Sequence, residues 1–173
     1  MSEAPSISVR PLIPADAAAF VIIRREALAD APWAFSGSPE DDLGLDAAHI
    51  AAQLSTPGYA ILGAFEGERL VATCGLFTNR QRKLAHRIRI WGVYVTPSSR
   101  GTGAGRAVVR AAMDLARSWP GVTSVGLSAS ERSTTAIALY KSLGFVPWGV
   151  EPGYMRLGGE LIDEVHMVCE FAP

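Results

Sequence analysis

Hydrophobic positions along this chain follow two rhythms: short β-branched runs, and longer stretches in which polar residues return every third or fourth position. From Gly105 onward, Arg106, Arg110, Asp114 and Arg117 recur at helical spacing and leave Val108, Val109, Ala112, Met113 and Ala116 to face a core. The same period runs from Ser133, a candidate N-cap, to Gly144, with Ala136, Leu139, Tyr140 and Leu143 forming the apolar stripe. Two more helices are predicted early, one following Pro14 and Asp16 and one near Asp46 to Leu54. Strands are predicted at Ser6 to Arg10, through "YAILGAFEGERLVATCGLF" as a hairpin around Glu66-Gly67, and in "HRIRIWGVYV", which Pro97 stops. Val122 to Ser130 is another, and "FVPWGVEP" and "ELIDEVHMVCEF" are strands joined across Gly158-Gly159. The order β, α, α, β, β, β, α, β, α, β, β requires a mixed sheet flanked by helices, an α/β (α+β) fold of about seven strands and about four helices.

Composition narrows the class. With 173 residues, 49% hydrophobic and 19% charged, the chain suits one domain over residues 1–173, its core at about 5–171. The start, "MSEAPSISVRP", has neither a basic n-region nor an apolar h-region, and the longest apolar run, Ala17 to Ile23, falls short of the ~20 residues a membrane span needs. The expectation is a cytoplasmic protein without a membrane partner. Cys74 and Cys169 lie in apolar strand-like runs without CxxC spacing or a histidine cluster, which points to buried thiols and to no metal site.

Charge changes the picture further. A net charge of −1 removes the simplest argument for nucleic acid, yet the nine Lys or Arg between Arg69 and Met113 have no Asp or Glu among them. That basic middle suits an anionic ligand, although "NRQRK" within it also reads as a solvated hairpin tip. In "YVTPSSRGTGAGRAVV", glycines at alternate positions connect a strand to a helix, so unpaired N–H groups and the positive helix end face one spot, as phosphate requires. The dinucleotide fingerprint GxGxxG fails, because its sixth residue is Arg106 or Val108, and the P-loop fails for want of a Lys-Ser or Lys-Thr pair. What remains is Arg100-x-x-Gly103-x-Gly105, either a connector or an amide nest to which Arg100 adds charge.

Residues Val93 to Val109 resemble the acyl-CoA signature of the GNAT superfamily of acetyl-CoA-dependent N-acetyltransferases, Q/R-x-x-G-x-G/A after a V-x-V-x-P strand. A second stretch, Thr134 to Gly149, is similar to the family's A-x-x-L-Y-x-x-x-G-F segment, matched at Ala136, Leu139, Tyr140, Gly144 and Phe145. The resemblance implies a mostly antiparallel twisted sheet and acetyl-CoA as cofactor. The amides of Arg100, Gly101, Thr102, Gly103, Ala104, Gly105 and Arg106 would hold the pyrophosphate, and the strand Val93, Tyr94 and Val95 would pair with the pantetheine arm. Ser133, where the family often has Asn, and Ala136 would line the cofactor. Tyr140 would be the general acid for the leaving thiolate.

The general base is less determined. Many members carry a glutamate on the strand before the glycine loop, whereas "HRIRIWGVYV" has no acid. His86, Asp163, Glu164 or a water relay are the candidates, and Asp163 shares the face of Leu161, Val165, Met167 and Cys169 by period-two counting. Trp33, Phe35, Trp91 and Tyr154 are candidate walls for the acceptor, a small-molecule or peptide primary amine. The alternative function is a CoA-binding sensor or interaction domain without turnover. Open sheet edges also suit a homodimer.

Overall fold

The computed structural model describes residues 6–171. Pro5 and the four residues before it, part of the stretch read as lacking a leader, lie outside that range, as do Ala172 and Pro173. The elements follow the expected order: β1 (Ile7–Pro11), α1 (Ala17–Asp30), α2 (Ala47–Leu54), β2 (Tyr59–Glu66), β3 (Arg69–Thr78) and β4 (Arg87–Val95). After them come α3 (Ala104–Ser118), β5 (Ser124–Ser130), α4 (Thr134–Ser142), β6 (Val146–Leu157) and β7 (Glu160–Glu170). Seven strands form one sheet in the order β1-β2-β3-β4-β5-β7-β6. Only β4 and β5 run parallel, since α3 carries the chain back across the sheet between them. Both late hairpin turns are tight: Glu66 pairs with Arg69, which places that turn at Gly67-Glu68, and Leu157 pairs with Glu160.

Period-two alternation sorts side chains between two cores. In β2, Ile61 packs with Phe20, Ile23, Ala27 and Ile50 of α1 and α2, whereas Leu62 faces Val108, Val109 and Ala112 of α3 on the other side. The polar spacing that predicts α3 is realised, with Val108, Val109, Ala112 and Ala116 all fully buried. Cys74 and Cys169 are free, buried thiols. Among the described residues no helix is long and apolar enough to cross a membrane.

Two irregularities shape the centre of the sheet. The β3–β4 register slips between Thr73 and Gly75, opposite Gly92, whose φ of +61° makes a bulge that the Thr73 hydroxyl secures by donating to the Gly92 carbonyl at 3.1 Å. Beside it Trp91 lies flat over Gly75, so close that a Cβ there would overlap the indole. Gly75→Ala is therefore expected to cost about 1–3 kcal/mol, as overpacking of a filled core does, and to lower the thermal midpoint accordingly.

The second irregularity is the parting of β4 from β5. Only Arg87, Ile88 and Arg89 pair, with Ser124, Val125 and Gly126, and beyond Ile90 the two strands separate. The opening this leaves at the C-terminal half of β4 is where the glycine loop begins.

On β7 the expected period breaks. Ile162 is buried and Leu161 is 55% exposed, yet Met167 and Cys169 are buried, so the inward phase changes along the strand. The pairing with β6 is irregular between Glu151 and Met155, and such a bulge rotates the strand faces. Asp163, half-buried, lies opposite this irregular stretch of β6.

Candidate active site

A cleft of about 380 Å³ beside this opening is walled by Val93 and Val95 of β4, by Ser133, Ala136 and Tyr140 of the α4 region, and by Trp33 and Phe35 after α1. A narrower recess of about 100 Å³ continues from it past Phe35, Trp91, Gly92, Ser128 and Tyr140. These are the positions at which three of the four aromatic candidates come together. Tyr154, 42% exposed on β6, lines neither space, because the irregular β6 pairing leaves it on the outer side of the hairpin.

The loop that opens α3 has Gly101 at φ +79° and Gly103 at φ +93°, left-handed conformations that L side chains rarely adopt. They let the amides turn together: no hydrogen bond within the described residues engages the backbone N–H of Gly101, Thr102, Gly103, Ala104, Gly105 or Arg106. Ala107 is the first to close a helical bond, donating to Gly103 at 2.9 Å. Thr102 secures the turn by donating its hydroxyl to the Ser99 carbonyl at 2.7 Å. Gly105 has an ordinary φ, but a Cβ there would press on Val95 Cγ2 at 3.1 Å. Six free donors at the start of a fifteen-residue helix form an anion site of the amide type.

The Arg100 side chain behaves differently from the expectation that it adds charge to that site. Its guanidinium pairs with Asp30, its Nε donates to the Val95 carbonyl at 3.2 Å, and it lies 5.8 Å from the Tyr94 ring centre. Asp30, 70 positions away in sequence, is a competing partner that no local pattern encodes. The Tyr94 hydroxyl is shared between Glu26 (3.2 Å) and Asp30 (3.1 Å), so this side chain ties β4 to α1. Burial, then Asp30, pushes its phenol up from the ordinary value. Arg106 extends to the Ser142 hydroxyl at 2.8 Å.

Tyr140 is 5% exposed, its ring edge-on to Phe145 at 5.9 Å, and it lines both the cleft and the recess. Burial, reinforced by the neighbouring Cys74 thiol, pushes the phenol above its ordinary range, so it stays protonated through neutral pH. Ser133 occupies the N-cap of α4 without a side-chain cap bond, which leaves its hydroxyl free at the cleft wall.

The three candidate bases separate. His86 is exposed in the turn before β4 and lines a different cleft, of about 640 Å³, with Arg87, Thr123 and Trp148. It is seven positions before Val93 on one extended strand, roughly 23 Å away at 3.3 Å per residue, and is removed from the site. Asp163 is also removed: its carboxylate accepts from the Gly153 N–H at 2.8 Å and its carbonyl from the Glu131 N–H at 3.0 Å, both outside the cleft. Glu164 is half-buried and diagonal to Ser128, given the pairs Ser128–His166 and Ser130–Glu164. Burial pushes its carboxyl up, Ser128, His166 and Arg89 pull it back in part, and Glu151 adds to the rise. Since Ser128 walls the recess that Tyr140 also lines, Glu164 alone of the three adjoins the site.

Three contributors escaped sequence reasoning: the Gly92 bulge, Ser128 and Arg24. Arg24 had a signal, an arginine four positions after Phe20 on the core-facing stripe of an apolar helix.

A splayed parallel pair, an amide-lined loop opening a helix and a buried phenol come together here. Residues 22–145 match the profile of the Acetyltransferase (GNAT) family, and the chain belongs to that family, whose cofactor is acetyl-CoA. It is 31% identical over 146 residues to mycothiol acetyltransferase of Thermobispora bispora, covering 82% of this chain and 46% of that protein. The chain thus spans less than half the length of that relative. It is 32% identical over 107 residues to N-alpha-acetyltransferase RimI of Mycobacterium tuberculosis, covering 62% of this chain and 65% of the relative. Among solved structures, the GNAT acetyltransferase of Streptococcus pneumoniae superposes with a TM-score of 0.86 at 18% identity, covering 96% of this chain and 100% of that one. The yncA acetyltransferase of Salmonella typhimurium, solved with acetyl-CoA, superposes at 0.82 with 24% identity, covering 97% and 98%.

Proposed function

We propose that this chain is an N-acetyltransferase that moves the acetyl group of acetyl-CoA to a primary amine of a small molecule or peptide by direct attack in a ternary complex. The observation that carries the reading is the Tyr140 phenol, kept protonated by burial, on the wall of the cleft beside β4 and of the recess between β4 and β5. The free N–H groups from Gly101 to Arg106 suit the cofactor's pyrophosphate, and the edge of β4 at Val93, which β5 leaves unpaired, suits its amide-bearing arm, next to the Val95 carbonyl that Arg100 holds. Ser133 and Ala136 wall the same path. Bound acetyl-CoA supplies a thioester whose C–S bond breaks as the amine nitrogen forms its bond to the acetyl carbon. Tyr140 gives its proton to the departing sulfur, and Glu164, beside Ser128, takes the proton that the amine must lose.

Because Glu164 acts as a carboxylate and its pKa is raised, kcat/KM should climb with pH through a limb above the usual glutamate range. Glu164→Gln should remove that limb and lower kcat/KM about tenfold near neutrality, within the span of general-base effects. His86→Ala should leave the profile as it is. A limb that persists in Glu164→Gln excludes the role.

A second reading, a CoA-binding sensor domain, is favoured by one observation: β4 itself carries no carboxylate. Release of free CoA thiol across a panel of amines and peptides tests both, since tight acetyl-CoA binding with no thiol release would support the sensor.

A further inference from the structure

Arg24 sits in the middle of α1 on its buried side, only 9% exposed, between the two aromatic walls of the recess. Its guanidinium carbon is 4.7 Å from the Phe35 ring centre and 6.0 Å from that of Trp91. Asp42 holds one end, at 2.5 Å from Nη2, and Asp42 is itself fixed by the Gly44 N–H at 2.7 Å. The rest of the fork is unspent. Nε has no partner and lies against Gly44, where an added Cβ would be 3.3 Å from it. Nη1 is turned to the β4 bulge, where a Cβ on Gly92 would lie 3.9 Å from it.

A guanidinium that served only to tie α1 to the following segment would gain most from a two-pronged grip on Asp42. Here one prong is used, and a strongly desolvated cation keeps Nη1 beside Gly92, which lines the recess with Tyr140. The recess also has Ser128 on its wall, with Glu164 behind it. Arg24 and Glu164 thus stand behind opposite walls of a recess that neither of them lines, a cation on the α1 side and a carboxylate on the β7 side. A molecule with a carboxylate and an ammonium separated by one or two bonds complements both.

We propose that Arg24 receives the carboxylate of the acceptor and that the preferred acceptor is a free amino acid. The inference rests on the N-acetyltransferase reading and narrows its substrate class. Arg24 acts as a specificity-determining residue: it holds the acid end while the amine points to the thioester position beside Tyr140. An internal amide or a peptide N-terminus lacks the matching charge and leaves the desolvated fork unanswered.

The test compares L-leucine, L-phenylalanine and L-glutamate with their α-carboxamides, and includes benzylamine and a short peptide, by release of CoA thiol. Losing a charged hydrogen-bond partner in a desolvated site is expected to make kcat/KM at least about tenfold higher for each acid than for its amide. Arg24→Met should bring that ratio close to one, Arg24→Lys should restore part of it, and thermal unfolding checks that each variant is folded. The wild-type comparison needs no variant and stands if Arg24→Met does not fold. Acids and amides used equally well, or a preference unchanged in a folded Arg24→Met, overturns the proposal while leaving the acetyltransferase reading intact. Turnover of benzylamine or the peptide but of no free amino acid does the same. Acetyl-CoA binding with no turnover of any amine overturns the acetyltransferase reading itself, and this proposal with it.

Discussion

Tyr140→Phe is expected to lower kcat about 100-fold while leaving the Kd for acetyl-CoA unchanged, the size of effect that loss of a positioned proton donor produces. The substitution removes one oxygen, and the ring keeps its edge-on contact with Phe145. Fold and cofactor site should therefore survive. The effect arises because the leaving thiolate must otherwise depart charged into a cleft where burial already disfavours ionisation, as the raised Tyr140 pKa reports. Steady-state thiol release and calorimetric titration with acetyl-CoA separate the two quantities. A kcat that stays near the wild-type value would remove Tyr140 from the chemistry and leave it a core residue.

Gly103→Val should act on the other side of the ledger, weakening acetyl-CoA binding with little effect on kcat at saturation. Gly103 is exposed and a Cβ there would meet nothing within 4 Å, so crowding is not the cause. The backbone is: at φ +93° a β-branched residue is strained by about 1–3 kcal/mol, and relief comes by rotating the loop away from its left-handed turn. Rotation scatters the six free N–H groups, and losing one or two hydrogen bonds to a charged phosphate, each worth about 1.5–3 kcal/mol, raises Kd about 100-fold. Calorimetry measures it. A Kd within about threefold of wild type would mean that the glycines only connect strand to helix.

The elements were legible because each carries its own period. Arg106, Arg110, Asp114 and Arg117 mark the outer face of α3, and the buried residues between them are the predicted ones. The glycine loop was legible for a related reason, since alternate glycines have few uses other than freeing successive amides. Long-range partners were not. Arg100 read as a phosphate ligand until Asp30 came to it from the end of α1. His86 and Val93 are close in sequence, but extended backbone carries them to opposite ends of the sheet. The partner of the Asp163 carboxylate, the Gly153 N–H, sits in an irregular stretch of β6 that counting along β7 alone does not register. Glu164 gained its standing only through the register that sets it diagonal to Ser128.

The cleft's two walls come from different lengths of chain. Val93 to Tyr140, one unbroken stretch, supplies the strand edge, the amide loop, the hydroxyl of Ser133 and the phenol. Arg24, Phe35 and Glu164 come from segments before and after it, which meet only because β7 inserts between β5 and β6. On the proposed reading, donor handling is encoded in a single stretch, while choice of amine is divided between the flanks. Exchanging residues in α1 and β7 between relatives should redirect the enzyme to new acceptors without rebuilding its grip on the coenzyme.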